Sequence, residues 1–228
     1  NISVQASDDG LNIAGGKDSS SINGRPGPNS FASGNDQKLT ISGGYLVVDA
    51  SGDGLDANGS VYISGGTVIV YGPTDSGNGT IDYDGVFVIT GGMLIGTGSA
   101  DMAQNVSAGT TQNTVLITLS TPAVSNTVFS VQDAEGNEVA TVAPPKQYQT
   151  ILLSAPGLQS DKSYTVYTGG SSTAPSLDGV YEGGLYTGGS SAATFIQSSI
   201  VTTAGKGFGI NGANMLDGEV SGNAGGEQ

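Results

Sequence analysis

Cysteine, histidine and tryptophan are absent from this 228-residue chain. Without histidine there is no Ser-His-Asp triad, and without cysteine there is no thiolate zinc site, iron–sulfur ligation or disulfide. Basic residues are scarce, with six Lys plus Arg against twenty Asp plus Glu, a net charge of −14 and a pI near 4.1. A field of that sign repels phosphate backbones and anionic lipid, so neither nucleic acid nor a membrane surface is expected as a partner. No run approaches the roughly 18 apolar residues of a spanning helix, so membrane insertion is not expected either. No GxxxxGK phosphate loop occurs. The chain opens at Asn1 without a leader-like segment, as expected of a mature chain or a fragment.

What is abundant is glycine, 39 residues with eight proline, a composition close to low-complexity chains. The 36% of hydrophobic residues are nonetheless placed regularly. An Ile-Ser/Thr-Gly-Gly phrase begins at Ile41, Ile63 and Ile89, at intervals of 22 and 26 residues. Period-2 apolar pairs flank it: Leu39/Ile41, Val61/Ile63 and Phe87/Ile89 before, Leu46/Val48, Val68/Val70 and Leu94 with Gly96 after. Such alternation predicts strands with one buried face. A second phrase, Ser51 to Gly59, matches Ser7 to Gly15 at an offset of 44, and Asn1 to Ala6 then aligns with Tyr45 to Ala50. The third copy is Gly79 to Gly85, where Ile81 aligns with Leu55 and Asp82 with Asp56, so four residues are inserted around Gly72 to Gly77.

Three short strands per unit of about 22 residues is the arithmetic of a parallel β-helix, whose coils bury their inward faces only by stacking. The expected architecture is all-β: a right-handed parallel β-helix over residues 1–98, with residues 17–38 as a long loop. A small antiparallel sheet or sandwich follows over 99–203, covering the open end of the coils. Its strands are read at 114–119, 127–132, 138–142, 147–153 and 163–167, with weaker ones around 180–186 and 194–201. Residues 204–228 read as a Gly-rich tail. Asn1 aligns just after a Gly-Gly pair, so the chain is expected to start in mid-coil, with a further coil or another subunit stacked on it.

Residues 1–98 hold ten Asp and no Glu. Asx turns account for any one of them. As a set they form columns: Asp9 with Asp53, and Asn12 with Asp56 and Asp82. In Asp56-Ala57-Asn58 and Asp82-Tyr83-Asp84 the i, i+2 spacing puts two oxygen ligands on one side of an extended segment. Carboxylates stacked about 5 Å apart repel by roughly 1 kcal/mol or more each unless a cation lies between them. Only Lys17, Arg25 and Lys38 lie in this region, all in or beside the long loop. A hard divalent ion fits, Ca²⁺ before Mg²⁺, and solvated turn carboxylates are the alternative. Among the aromatics of this region, Tyr62 and Tyr71 fall out of phase with the buried residues and are expected to face solvent. With Tyr83 they are candidate platforms for sugar rings. Paired carboxylates also suit glycoside chemistry and a lyase would need a base, for which Arg25 is the one candidate, but binding is favoured over catalysis.

The phrases ASDDGLNIAGG, NGRPGPNSFASG, ISGGYLVVDASGDGLDANG, GPTDSGNGTIDYDG, GSADMAQ and GVYEGGLYTGG occur in this order. Together they resemble the carbohydrate-binding β-helix proteins of anaerobic, cellulose-degrading bacteria over about residues 1–203. That family usually has more SDDG-type coils on the N-terminal side. The resemblance implies a secreted or cell-surface protein with a polysaccharide-lyase-like fold and no enzymatic activity. It implies bound calcium, with ligation falling on Asp8, Asp9, Asp53, Asp56, Asp82 and Asp84, and affinity for cellulose and acidic sugars such as polygalacturonate. The candidate metal set is thus Asp8, Asp9, Asn12, Asp53, Asp56, Asn58, Asp82 and Asp84, and the candidate saccharide set is Tyr62, Tyr71, Tyr83 and Arg25. The alternatives are a homo-oligomer that stacks end to end into a filament or adhesive layer with structural calcium, and a calcium-dependent lyase.

Overall fold

The computed structural model describes residues 1–13 and 37–206. These form strands joined by turns, with no helix. The repeat region holds β1 (Ile2–Ala6), β2 (Leu11–Ile13), β3 (Lys38–Ala50), β4 (Leu55–Ala57), β5 (Ser60–Tyr71), β6 (Ile81–Tyr83), β7 (Phe87–Ile89) and β8 (Met93–Gly98). The expected 17–38 loop falls outside the described residues except for its last two, Gln37, whose carbonyl accepts the Ser60 N–H at 2.9 Å, and Lys38, which opens β3.

The repeat offsets are the pairing register. β1 lies parallel to β3 with Ile2 opposite Leu46 and Ala6 opposite Ala50. β3 lies parallel to β5 with Leu39 opposite Val61 and Val48 opposite Val70. β5 in turn pairs in parallel with β7 and with β8, Val61 opposite Phe87 and Val68 opposite Leu94. The short strands β2, β4 and β6 stack into a separate parallel sheet. The inserted residues Thr74 to Gly77 lie exposed.

The two Gly-Gly pairs at 43–44 and 65–66 bend β3 and β5 without ending them. The second glycine of each pair takes the left-handed conformation: φ is +87° at Gly44, +86° at Gly66 and +88° at Gly92. A Cβ on Gly66 would stand 2.7 Å from the carbonyl carbon of Gly43, and one on Gly92 would stand 2.6 Å from the carbonyl oxygen of Gly66. Gly66 and Gly92 therefore need glycine twice over, for their φ and for the strand beneath them, whereas at Gly44, where a Cβ would meet nothing within 4 Å, φ alone requires it.

Leu46, Val48, Val68, Val70 and Leu94 point into a column shared with Leu55, Ala57 and Ile81 of the small sheet and with Val61, Ile63, Phe87 and Ile89. Each such aliphatic side chain stabilises the fold by about 1.5–3 kcal/mol when fully buried. The expectation of one buried face is corrected here, because the opposite face is buried too. Val47, Ile69 and Ile95 join a second core beneath another sheet.

The second half of the chain supplies that sheet and extends the first, with β9 (Thr114–Ala123), β10 (Phe129–Asp133), β11 (Glu138–Val142), β12 (Tyr148–Ser154), β13 (Ser163–Ser172), β14 (Ser176–Leu177), β15 (Val180–Tyr181), β16 (Tyr186–Ile196) and β17 (Val201–Gly205). β12 pairs antiparallel with β8 and β9, and β17 lies parallel to β9, which completes an eight-stranded mixed sheet in the order β1-β3-β5-β8-β12-β9-β17 with β7 beside β5. The six strands β14-β15-β11-β10-β13-β16 form an antiparallel sheet. Phe129, Val131, Val142 and Val166 from this sheet meet Ile69, Ile95 and Ile151 from the first. Residues after Gly98 therefore continue the repeat's own sheet and cover its outer face. Of the expected tail, Ala204 and Gly205 end β17, and residues 207–228 lie outside the described part.

Candidate metal and saccharide site

Asn12, Asp56 and Asp82 are the middle residues of β2, β4 and β6, in register with one another. Their neighbours Leu55, Ala57 and Ile81 are buried, so period-2 alternation turns the three polar side chains outward. Asp9 and Asp53 sit in the turns leading into β2 and β4 and repeat one role. Asp9 Oδ1 accepts the Asp53 N–H at 2.9 Å, and Asp53 Oδ1 accepts the Gly79 N–H at 2.5 Å, so each carboxylate caps the turn of the next repeat.

Side-chain amides hold the two ends of the column. Asn12 Nδ2 donates to Asp9 Oδ2 at 3.0 Å and to Asp56 Oδ2 at 2.7 Å. Gln104 Nε2 donates to Asp82 Oδ1 at 3.0 Å. Sequence reasoning did not single out Gln104, although it closes the GSADMAQ phrase. Asp8 is exposed, and its backbone carbonyl accepts the Gly52 N–H. Asn58 and exposed Asp84 follow β4 and β6, where their backbone N–H groups donate to Ile13 and Ala57. The structure thus joins Asp9, Asn12, Asp53, Asp56 and Asp82 by hydrogen bonds and register, and leaves Asp8, Asn58 and Asp84 at the margin.

The electrostatics are those of anions without a counter-charge. Burial pushes the Asp56 carboxyl up to about 7, and the charges of Asp9, Asp53, Asp82 and Asp84 add to the rise. Burial also raises Asp53, to about 6, against the pull of the Gly79 hydrogen bond and with help from Asp82, Asp9 and Asp8. Among the described residues the one ion pair is Lys146 with Asp49, away from this column. Oxygen donors of this kind are what Ca²⁺ takes, and the unrelieved repulsion fits a hard cation. Among the described residues, however, no three carboxylates are already arranged as a metal cage.

The saccharide candidates are placed less uniformly. Tyr62 is half-buried on β5, between Thr40 and Val88 on the adjoining strands and out of phase with buried Val61 and Ile63. Tyr83 is also half-buried, its ring 5.7 Å from that of Phe87 and its hydroxyl donating to the Asn105 carbonyl at 2.7 Å. Tyr71 corrects the expectation of a solvent-facing ring. It is 3% exposed, packs in the core between the two large sheets, and donates its hydroxyl to the Asp178 carbonyl. Its side chain does lie on the face opposite Val68 and Val70, but that face is covered by the second sheet. Arg25 lies outside the described residues.

In comparisons with family models, curated proteins and solved structures, nothing matches this chain. Among the described residues no helix is long and apolar enough to cross a membrane.

Proposed function

We propose that the protein is a non-catalytic polysaccharide-binding module of the bacterial surface or extracellular space, built on a segment of right-handed parallel β-helix. Ca²⁺ on the Asp column would serve as the bridge to uronate carboxylates of an acidic glycan such as polygalacturonate. The observation that carries this reading is the in-register column Asn12–Asp56–Asp82 with Asp9 and Asp53 beside it, four carboxylates without a basic partner among the described residues. A protein of net charge −14 repels an acidic polymer, so a cation between them is the physical means of attraction. Tyr62, half-buried and out of phase with Val61 and Ile63, offers a face for a sugar. The test is Asp56→Ala with Asp82→Ala in affinity electrophoresis through polygalacturonate. Retardation of the parent chain in calcium and free migration of the variant support the reading, and equal retardation of both contradicts it.

A second reading, end-to-end assembly with calcium in a structural role, is favoured by one observation. Ile2 is 63% exposed and Val4, Ala6, Leu11 and Ile13 are half-buried, whereas their successors Leu46, Val48, Ala50, Leu55 and Ala57 are all buried. An edge strand with an apolar face invites pairing. Sedimentation with and without calcium distinguishes the two, since growing particles belong to assembly and a constant monomer to binding.

A further inference from the structure

β16 ends the six-stranded antiparallel sheet, so one of its edges faces no strand among the described residues. Along residues 187–195 its backbone bonds to β13 alone. Sheet edges are commonly blunted by charge or proline, and this strand carries neither.

The sequence of this edge occurs twice. Residues 167–172 of β13 and 186–191 of β16 both read YTGGSS, at an interval of 19 residues. The two copies pair with each other antiparallel. Tyr167 lies opposite Ser191 and Ser172 opposite Tyr186, while Thr168 lies opposite Ser190 and Ser171 opposite Thr187, with Gly169 opposite Gly189 at the centre. Each Tyr–Ser or Thr–Ser pair thus has a mate of the same two residue types, and the segment meets its own copy about a local twofold. The fit at the glycines is close: Gly169, Gly170 and Gly188 have positive φ, and a Cβ on Gly170 would stand 2.6 Å from the Gly189 nitrogen. The equivalent rings of Tyr167 and Tyr186 have centroids 6.2 Å apart, and Tyr186 donates its hydroxyl to the Gly169 carbonyl at 2.7 Å. One YTGGSS strand therefore accepts another as a neighbour, as cross-strand pairing of these side chains requires.

Charge points the same way. Two copies of net charge −14 repel, yet residues 183–205 hold no charged side chain, so this face lets two copies approach with little opposing field. Leu185, just before β16, is 62% exposed, and Ala192 is exposed beside the YTGGSS segment, apolar surface that a second copy would cover. We infer that the free edge of β16 pairs antiparallel with β16 of a second copy of this chain, closing a twofold dimer through the YTGGSS segments. The contact lies in the sheet that contains neither β1 nor the Asp column, and it requires neither calcium nor glycan. It stops at two copies, whereas end-to-end assembly grows.

The test is sedimentation equilibrium of the full chain over rising concentration, in calcium and in chelator. The expected mass rises from one copy to two, equally in both. Thr187 and Ser190 flank the central glycines and are exposed, so Thr187→Glu with Ser190→Glu sets like charges across the seam and is expected to weaken association roughly tenfold or more. Thr187→Lys with Ser190→Lys is expected to weaken it likewise, and an equimolar mixture of the two variants to pair again, which misfolded chains would not do. A monomer at every concentration, an unchanged dimer in the Glu variant, a mixture that stays monomeric, or growth past two copies would each overturn the proposal. So would slow amide exchange along residues 187–193 in a monomer, which would put another part of the chain on this edge.

Discussion

Asn12 donates its side-chain amide to Asp56 at 2.7 Å across 44 residues of sequence, and the interval is the repeat itself. The amide occupies the first position of a column whose next two members are carboxylates, Asp56 and Asp82. One end of the stack is thereby neutral and satisfied, while the Asp56 and Asp82 charges face each other across one strand spacing, about 4.8 Å. Where the column carries strain, it is between these two.

Asp56→Asn relieves that repulsion and keeps an oxygen for the Asn12 amide. In chelator at pH 8 the variant is expected to melt about 2–4 °C above the parent chain, and to lose whatever stabilisation calcium gives the parent. Differential scanning calorimetry with and without calcium reads both effects. A lower melting temperature in chelator would show that the Asp56 charge is not a burden.

The pH dependence has a definite sign. Asp53 and Asp56 bind protons more tightly in the folded chain, at about 6 and about 7, than at the ordinary carboxylate value of 3.8. The stability gained from their protonation is complete below about 3.8 and is lost as pH rises through 6 and 7. Metal-free protein is therefore expected to lose stability between pH 5 and about 8, with a flatter profile in calcium. Urea midpoints across that range, taken in chelator and in calcium, check it.

At the Gly-Gly bends, Gly66→Ala meets both a left-handed φ of +86° and backbone atoms 2.7 Å from the new Cβ. The expected loss is about 1–3 kcal/mol, measured by chemical denaturation. Gly43→Ala, where nothing lies within 4 Å of the added atom and φ is not positive, serves as the mild comparison.

Lys146 joins the repeat to the second half of the chain. It pairs with Asp49 and donates to the carbonyls of Ala50 and Tyr71, the ends of β3 and β5. Lys146→Met leaves these acceptors unpaired and is expected to cost about 1–3 kcal/mol, with faster amide exchange at the ends of both strands as the local signature.

Much of the repeat was legible because its pairing is translational. A Leu55 that aligns with Leu11 and Ile81 in sequence also pairs with them in space, so the columns follow from counting. The later strands were legible as strands, β11 to the residue, because alternation is local. Their partners were not. That β12 joins β8, and that residues near 130 and 166 cover Ile69 and Ile95, depends on contacts between segments far apart in the chain, which no local period encodes. Tyr71 shows the consequence: its hydroxyl partner lies 107 residues away, and without the second sheet its face would be solvent. The unbroken apolar runs Leu46-Val47-Val48 and Val68-Ile69-Val70 were the available hint, since a strand buried on both faces has no polar side. Gln104 lies 22 residues after Asp82, one repeat interval on, but no Gly-Gly phrase follows it to carry the count that far.

Calcium on the Asp column is proposed to carry glycan binding, which isothermal calorimetry of polygalacturonate into metal-stripped protein, before and after calcium is added, tests directly. No heat of binding is expected without calcium, a saturable signal with it, and no signal in either condition for Asp56→Ala with Asp82→Ala. Calcium that binds the protein while polygalacturonate never does, or a glycan signal that persists in chelator, would contradict it.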